Sequence, residues 1–242
     1  MVRTTGNIWG CVGKPEAVKA EVSEIDAMVF AAFDAAKGFM PVDEGLALHA
    51  AAVEAARLGL PLLEIGSYCG RSTLLLADAA RRAGTVAVTV DHHRGSEEQQ
   101  PGEEFHDPEL ADPADPARMD TLPAFRRTLA AVGLEEHVVA VVGRSPQAAA
   151  AIGGGGGGRY GLVFVDGGHT DAHATADYES WVPQLAVGGL LVIHDVFPDP
   201  ADGGQAPFRI WRRAVDSGAF AEVSERGSLR VLRRTTPGAP HT

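Results

Sequence analysis

The residues best suited to chemistry in this chain sit at the ends of short apolar runs. Val163-Phe164-Val165 leads into Asp166-Gly167-Gly168-His169, and Gly189-Leu190-Leu191-Val192-Ile193 leads into His194-Asp195. If the two runs are neighbouring parallel strands, their carboxyl ends lie side by side, and Asp166, His194 and Asp195 converge across 28 and 29 residues of sequence. Two carboxylates and an imidazole form a donor set for a divalent cation, with water and substrate hydroxyls supplying further oxygens. Carboxylates suit magnesium or manganese, while the His194 nitrogen shifts the preference toward manganese, iron or zinc. His169 adds an imidazole that titrates near neutral pH and can accept a proton.

A second group lies upstream. Leu62-Leu63-Glu64-Ile65 runs into Gly66-Ser67-Tyr68-Cys69-Gly70-Arg71-Ser72. Gly66 and Gly70 let the backbone approach a ligand, and a helix beginning near Ser72 offers N–H donors to an anionic end. Asp91 ends the next apolar run (Val86, Val88, Val90), where a carboxylate can accept hydrogen bonds from both hydroxyls of a ribose. His92 and His93 follow it and are placed to flank a nucleoside.

These residues need rigid elements to hold them. After an amphipathic helix from Glu16 to Ala36 and a second, capped by Asp43 and running to Gly59, strands and helices alternate. Strands are expected at 61–65, 85–90, 138–142, 162–165 and 190–193, with helices at 71–83, 121–132, 146–152, 172–181 and 208–217. Short, nearly all-apolar strands alternating with helices predict a doubly wound, mostly parallel α/β sheet covered on both faces. Phe220–Ser224 and Leu229–Leu232 flank Glu225-Arg226-Gly227-Ser228 and predict a C-terminal antiparallel hairpin, giving seven strands. Gly153–Gly158 is a run of six glycines that reads as a connector.

The pattern Glu64-x-Gly66-x-x-x-Gly70 resembles the first motif of class I S-adenosylmethionine-dependent methyltransferases, which have a Rossmann-like fold. The resemblance implies that Glu64, Gly66, Ser67, Gly70 and Ser72 surround the methionine portion of the cofactor, with Glu64 supporting its amino end. It further implies Asp91 and His92 at the adenosine and Ser145, after the third strand, beside the adenine. The arrangement of Asp166, His169 and His194-Asp195 looks like that of metal-dependent small-molecule O-methyltransferases, including those that methylate sugars on macrolide antibiotics. In that group an Asp after the fourth strand and an acidic pair after the fifth hold magnesium, and a His three residues after the first Asp is the general base. Carried over, Asp166 and Asp195 are metal ligands, Asp166 also borders the cofactor, and His169 is the base. His194 departs from the acidic pair. The pattern Asp166-Gly-Gly-His169…Gly188-Gly189…His194-Asp195 also resembles a broad bacterial methyltransferase group whose substrates vary widely. The likeness spans about Pro61 to Val196, and it carries dimerisation as a family-level expectation. Residues 1–60 form an N-terminal helical segment outside it, a cap over the substrate or a dimer region, ahead of a cofactor-binding domain at 61–242.

Composition narrows the field further. A formal charge of −11 on 242 residues speaks against nucleic acid or an anionic membrane as partner. Residues 96–120 hold nine acids against one Arg, so most of that charge belongs to one acidic, proline-rich insertion after Asp91. Its position predicts a lid or substrate loop. The two cysteines, Cys11 and Cys69, are too few for a disulfide framework. With no apolar run at the start and none long enough to span a membrane, a cytoplasmic protein with a small-molecule acceptor is expected. Rival readings are a metal-independent methyltransferase using His169 or His194 alone, and a catalytically silent cofactor-binding partner. A nicotinamide dehydrogenase is disfavoured, because Tyr68 stands where the second glycine of G-x-G-x-x-G belongs.

Overall fold

The computed structural model describes residues 25–103, 105–153 and 157–237. Cys11, residues 16–24 of the first expected helix and Gly154–Gly156 lie outside them. In chain order the elements are α1 (Ala27–Ala35), α2 (Val42–Ala56), β1 (Leu62–Ile65), α3 (Arg71–Arg82), β2 (Ala87–Asp91), β3 (Ala111–Asp112) and β4 (Asp115–Met119). There follow α4 (Leu122–Ala130), β5 (Val138–Val142), α5 (Ser145–Ile152), β6 (Tyr160–Val165), α6 (Asp171–Trp181), β7 (Leu185–Ile193), α7 (Ala206–Asp216), β8 (Phe220–Arg226) and β9 (Leu229–Arg234).

Seven strands form one sheet in the order β5-β2-β1-β6-β7-β9-β8. β5, β2, β1, β6 and β7 run parallel, and the β8–β9 hairpin closes the sheet antiparallel against β7. The expected doubly wound architecture and terminal hairpin are therefore present.

Strand alternation sends successive side chains to opposite faces. Leu62, Phe164, Leu190 and Val192 pack with Phe33, Leu48 and Leu75 beneath α1, α2 and α3. Leu63, Ile65, Val163, Leu191 and Ile193 pack with Tyr178, Trp181 and Ile210 beneath α6 and α7. Trp181 is fully buried.

Three expectations need correction. Asp43 does not cap α2: Pro41 holds the N-cap position with an extended backbone, no side chain caps the helix, and Asp43 lies in the first turn. The fixed φ of proline sets the helix start two residues earlier than an Asp43 cap would, and the carboxylate is left facing the positive end of the helix dipole. β7 begins at Leu185 rather than Leu190, because Gly188 at φ +84° lets the strand pass through a register shift against β6. The acidic insertion is not simply a loop. It contains two 3-10 turns, Glu97–Gln99 and Pro108–Leu110, and the small antiparallel β3–β4 pair. No helix among the described residues is long and apolar enough to cross a membrane.

Candidate active site

A cavity of about 1190 Å³ opens beyond the carboxyl ends of β5, β2, β1, β6 and β7. It is lined by Gly66, Ser67, Ser72, Asp91, His92, Ser145, Asp166, His169, His194 and Asp195, so all but two of the candidate site residues meet there.

The β1–α3 turn is shaped for close approach. Gly66 has φ +85°, and a Cβ there would collide with the Asp166 carbonyl. Gly70, at φ +88°, is the N-cap of α3. Asp91 holds this turn from the neighbouring strand: its Oδ2 accepts from the Ser67 and Tyr68 amides at 2.9 and 2.8 Å, and its Oδ1 from the His93 amide at 2.7 Å. A carboxylate has about four lone-pair sites, so capacity remains for a ribose hydroxyl. Ser67 is 2% exposed, and its Oγ has no partner within the protein. A buried hydroxyl without a partner is costly, and a polar ligand in the cavity would satisfy it.

Glu64 and Gly70 are the two that do not line the cavity. Glu64 sits on the α3 face of the sheet because it shares its alternation with Leu62. Fully buried, it accepts from Ser72 Oγ at 2.6 Å and Thr73 Oγ1 at 2.5 Å, tying β1 to the start of α3. Burial pushes its carboxyl up to about 8, against the lowering effect of the two hydroxyls. The expected support of the cofactor's amino end by Glu64 therefore becomes a support of the turn. His92 lines the cavity, its Nδ1 accepting from the Arg94 amide at 3.0 Å. His93 is buried behind it against Phe125, with Nδ1 2.8 Å from Thr121 Oγ1.

At the β6 and β7 ends the outcome is more specific than the sequence indicated. Asp166, His169 and Asp195 each offer a ligand atom within 4.8 Å of the others. His169 Nε2 lies 3.0 Å from Asp195 Oδ2, and its Nδ1 lies 3.2 Å from Glu98 Oε2 of the insertion. Burial opposes its charged form, but the Asp195 hydrogen bond and the charges of Asp195, Asp166 and Glu98 prevail and raise its pKa to about 9. Asp195 adopts a left-handed φ of +56°, a region that Asp tolerates better than most non-glycine residues. Burial alone would raise its pKa; hydrogen bonds from His169 and His194 hold it well below the usual carboxylate range.

His194, expected as a ligand, lies outside this trio. Its Nε2 is 2.6 Å from Glu44 Oε2 and its Nδ1 is 2.9 Å from Asp166 Oδ1. Both ring nitrogens face carboxylates, and both donate when the ring is protonated. Burial opposes that charge, yet Asp166, Asp195 and Glu44 drive its pKa well above the ordinary imidazole value. Glu44 reaches this position from α2 and also accepts from the Ser228 amide and hydroxyl in the β8–β9 turn. Glu44 and Glu98 were missed by sequence reasoning. No local motif marks either, since packing brings them in from 150 and 71 residues away.

The insertion forms one wall of the cavity through Ser96–Gln100 and Phe105. Lys37, just beyond α1, pairs with Asp107 and Glu109 and fastens the insertion to the N-terminal segment. Phe39 meets the Phe105 ring edge-on and the Tyr68 ring at a tilt, at centroid distances of 5.3 and 5.6 Å, giving the wall an aromatic surface.

Comparison with known proteins agrees with this geometry. Residues 63–196 match a family model described as a methyltransferase domain, which is more than half of the chain. Among solved structures, a Corynebacterium glutamicum protein is similar at TM-score 0.61 and 16% identity, covering 91% of this chain and 97% of that one. The O-methyltransferase TomG of Streptomyces achromogenes, in complex with S-adenosylmethionine, is similar at TM-score 0.55 and 18% identity, over 93% and 92% of the two chains. An O-methyltransferase from Bacillus cereus, in complex with S-adenosylhomocysteine, is similar at 0.54 and 16%, over 92% and 93%. The chain thus belongs to the methyltransferase-domain family, of the class I S-adenosylmethionine-dependent kind that its motifs resemble.

Proposed function

We propose that this protein transfers the methyl group of S-adenosylmethionine to a hydroxyl of a small molecule, with His169 as the general base and a divalent cation assisting. The observation that carries this reading is the placement of His169 on the cavity wall, hydrogen-bonded to Asp195 and beside Asp166, at the reacting end of a glycine-cradled pocket. The similar structures with bound S-adenosylmethionine or its demethylated product support the cofactor assignment. The unpartnered Ser67 Oγ and the Cβ-free cradle at Gly66 fit such a ligand.

S-adenosylmethionine supplies an activated sulfonium methyl, which the acceptor oxygen attacks in line, so the protein's main task is orientation. Gly66 lets the backbone close on the cofactor, and Asp91 fixes both the turn and the sugar. With its pKa raised to about 9, His169 holds a proton at neutral pH and serves as base through the neutral fraction that grows toward that pH: Asp195 accepts from Nε2, Nδ1 turns from Glu98 to the acceptor's proton, and Asp195 stabilises the imidazolium that results. Asp166 and Asp195 would hold the cation, which when bound lowers the pKa of a coordinated hydroxyl. Glu98 of the insertion reaches His169, and Phe39 and Phe105 line the same cavity.

A metal-independent reading is favoured by one observation. His194 already gives Asp166 a cationic partner at 2.9 Å, which offsets the charge a metal would neutralise. The test is turnover on a panel of hydroxylated small molecules, read by mass spectrometry, with and without chelator. Loss of turnover in chelator and recovery with manganese is expected; undiminished turnover in chelator selects the metal-independent reading. His169→Ala is expected to lower kcat by about 100-fold or more. Cofactor binding with no methyl transfer to any panel member would refute the catalytic reading altogether.

A further inference from the structure

The two outer strands of the sheet, β8 and β5, meet solvent in different ways. β8 carries Glu222, Glu225 and Arg226, and its register with β9 is irregular between Glu222 and Ser224. Charges and bulges of this kind keep an edge strand from pairing with another chain. β5 has none of them. It reads Val138-Val139-Ala140-Val141-Val142, with no charge, no proline and an unbroken register against β2. Val139 is 50% and Val142 is 55% exposed.

The open side of β5 has a definite hydrogen-bonding pattern. The Gly143 amide donates to the Asp91 carbonyl of β2 at 3.0 Å. Backbone groups alternate sides along a strand, so Val139 and Val141 also bond toward β2, while the N–H and C=O groups of Val138, Ala140 and Val142 point outward. In an antiparallel pair, facing residues that exchange both bonds recur at every second position. A second β5 laid antiparallel about Ala140 meets this condition along the whole strand. Ala140 faces Ala140 of the partner subunit, and Val138 faces Val142 of the partner subunit. Val139 lies across from Val141 of the partner subunit, so each exposed valine is covered by a half-buried one. Beyond the strand, the same register sets Glu136 against Arg144 of the partner subunit. Both side chains are exposed, and neither is in an ion pair among the described residues. Sliding to the next hydrogen-bonded register, either way, sets Glu136 against Val142 or Pro146 instead. We propose that two copies of this chain join β5 to β5 about a two-fold axis at Ala140, extending one sheet through both, with a Glu136–Arg144 pair at each end. The occupant is a second copy because the strand and its flanking charges are complementary to themselves, as a two-fold interface requires. Arg144 also lines the cavity, so the contact brings Glu136 of the partner subunit to the β5 end of each site.

The experiment is sedimentation equilibrium of the full chain from about 1 to about 100 μM at low salt, with circular dichroism to confirm folding. A short strand-to-strand contact is at the small end of specific interfaces, so a monomer–dimer equilibrium in about the micromolar range is expected. Ala140→Pro removes an N–H that β2 does not use, at a position where an edge strand tolerates proline. It should raise the dimer dissociation constant by about 30-fold or more. Glu136→Arg sets like charges face to face and should raise it by about tenfold. Adding Arg144→Glu to Glu136→Arg exchanges the two charges and should return it to within about threefold of wild type. That exchange decides the matter should Ala140→Pro not fold. A wild type that stays monomeric throughout overturns the proposal. So does a dimer that a folded Ala140→Pro or Glu136→Arg leaves intact, or one that the charge exchange fails to restore.

Discussion

Glu64 shows how one residue can keep its importance while changing its task. Its buried carboxyl titrates near 8 in the folded protein against about 4.5 in an unfolded chain. The sign of the linkage follows directly. Below about pH 4.5 both states hold the proton; between about 4.5 and 8 only the folded state does, so stability falls as pH rises through that window and levels off above it. Glu64→Gln removes the charge while keeping an acceptor for Ser72, so the ligand-free variant should lack this decline. Melting temperatures across that range check it, and parallel wild-type and variant curves would refute it. The same residue marks what the sequence could convey about the site. Asp166, His169 and Asp195 were legible because strand ends converge in any doubly wound sheet. The facing of Glu64 followed from period-two alternation, but the motif resemblance pointed the other way. The contact of His194 with Glu44 was not legible, because Glu44 arrives from another element and no spacing rule encodes it.

At the scale of elements, the β1–α3 turn and the insertion do different things. Gly66→Ala would force a Cβ onto the Asp166 carbonyl at a positive φ, displacing the β6 end that carries the reacting residues. Destabilisation of at least about 2 kcal/mol is expected. Loss of S-adenosylhomocysteine binding should accompany it, measured by denaturant melts and calorimetry, and a variant that binds normally would contradict the cradle. The insertion is tied down by Lys37 through exposed ion pairs, each worth at most about 1 kcal/mol. Lys37→Ala should therefore raise the acceptor KM by about fivefold while leaving cofactor affinity nearly unchanged; equal losses in both would show that the insertion shapes the whole pocket. The strand–helix alternation was readable because each apolar run is short and bounded by glycine or polar turns. The β3–β4 pair was not, because Ala111–Asp112 and Asp115–Met119 are alanine-, aspartate- and proline-bearing segments with no alternating apolar pattern. Their pairing comes from Arg94, which donates to Asp112 at 2.8 Å and to the Met119 carbonyl at 3.2 Å.

Across the whole molecule, α1 and α2 are not an appendage to the cofactor-binding region. Leu62, Leu162 and Leu190 of the sheet share one buried cluster with Phe33, Leu46 and Leu48. Buried polar contacts cross the same boundary: Glu44 reaches His194 and Ser228, and His49 Nε2 lies 3.0 Å from Asp78, which also accepts from Arg81 and Arg82 on α3. Arg233 of β9 pairs with Glu54 of α2. Burying a large apolar side chain contributes about 1.5–3 kcal/mol, so several lost together exceed the net stability of a typical domain. The N-terminal helices and the sheet should therefore unfold together, in a single calorimetric transition with matching van't Hoff and calorimetric enthalpies. Removing residues through Leu60 should leave a chain that keeps some helical signal but loses near-ultraviolet dichroism and melts without cooperativity. Two resolved transitions in the intact protein, or a cooperative melt in the shortened one, would instead make the helices a separable domain and Glu44 an incidental visitor to the site. One transition would make the folding of α2 a condition for His194 to reach Asp166, linking assembly of the active site to completion of the fold.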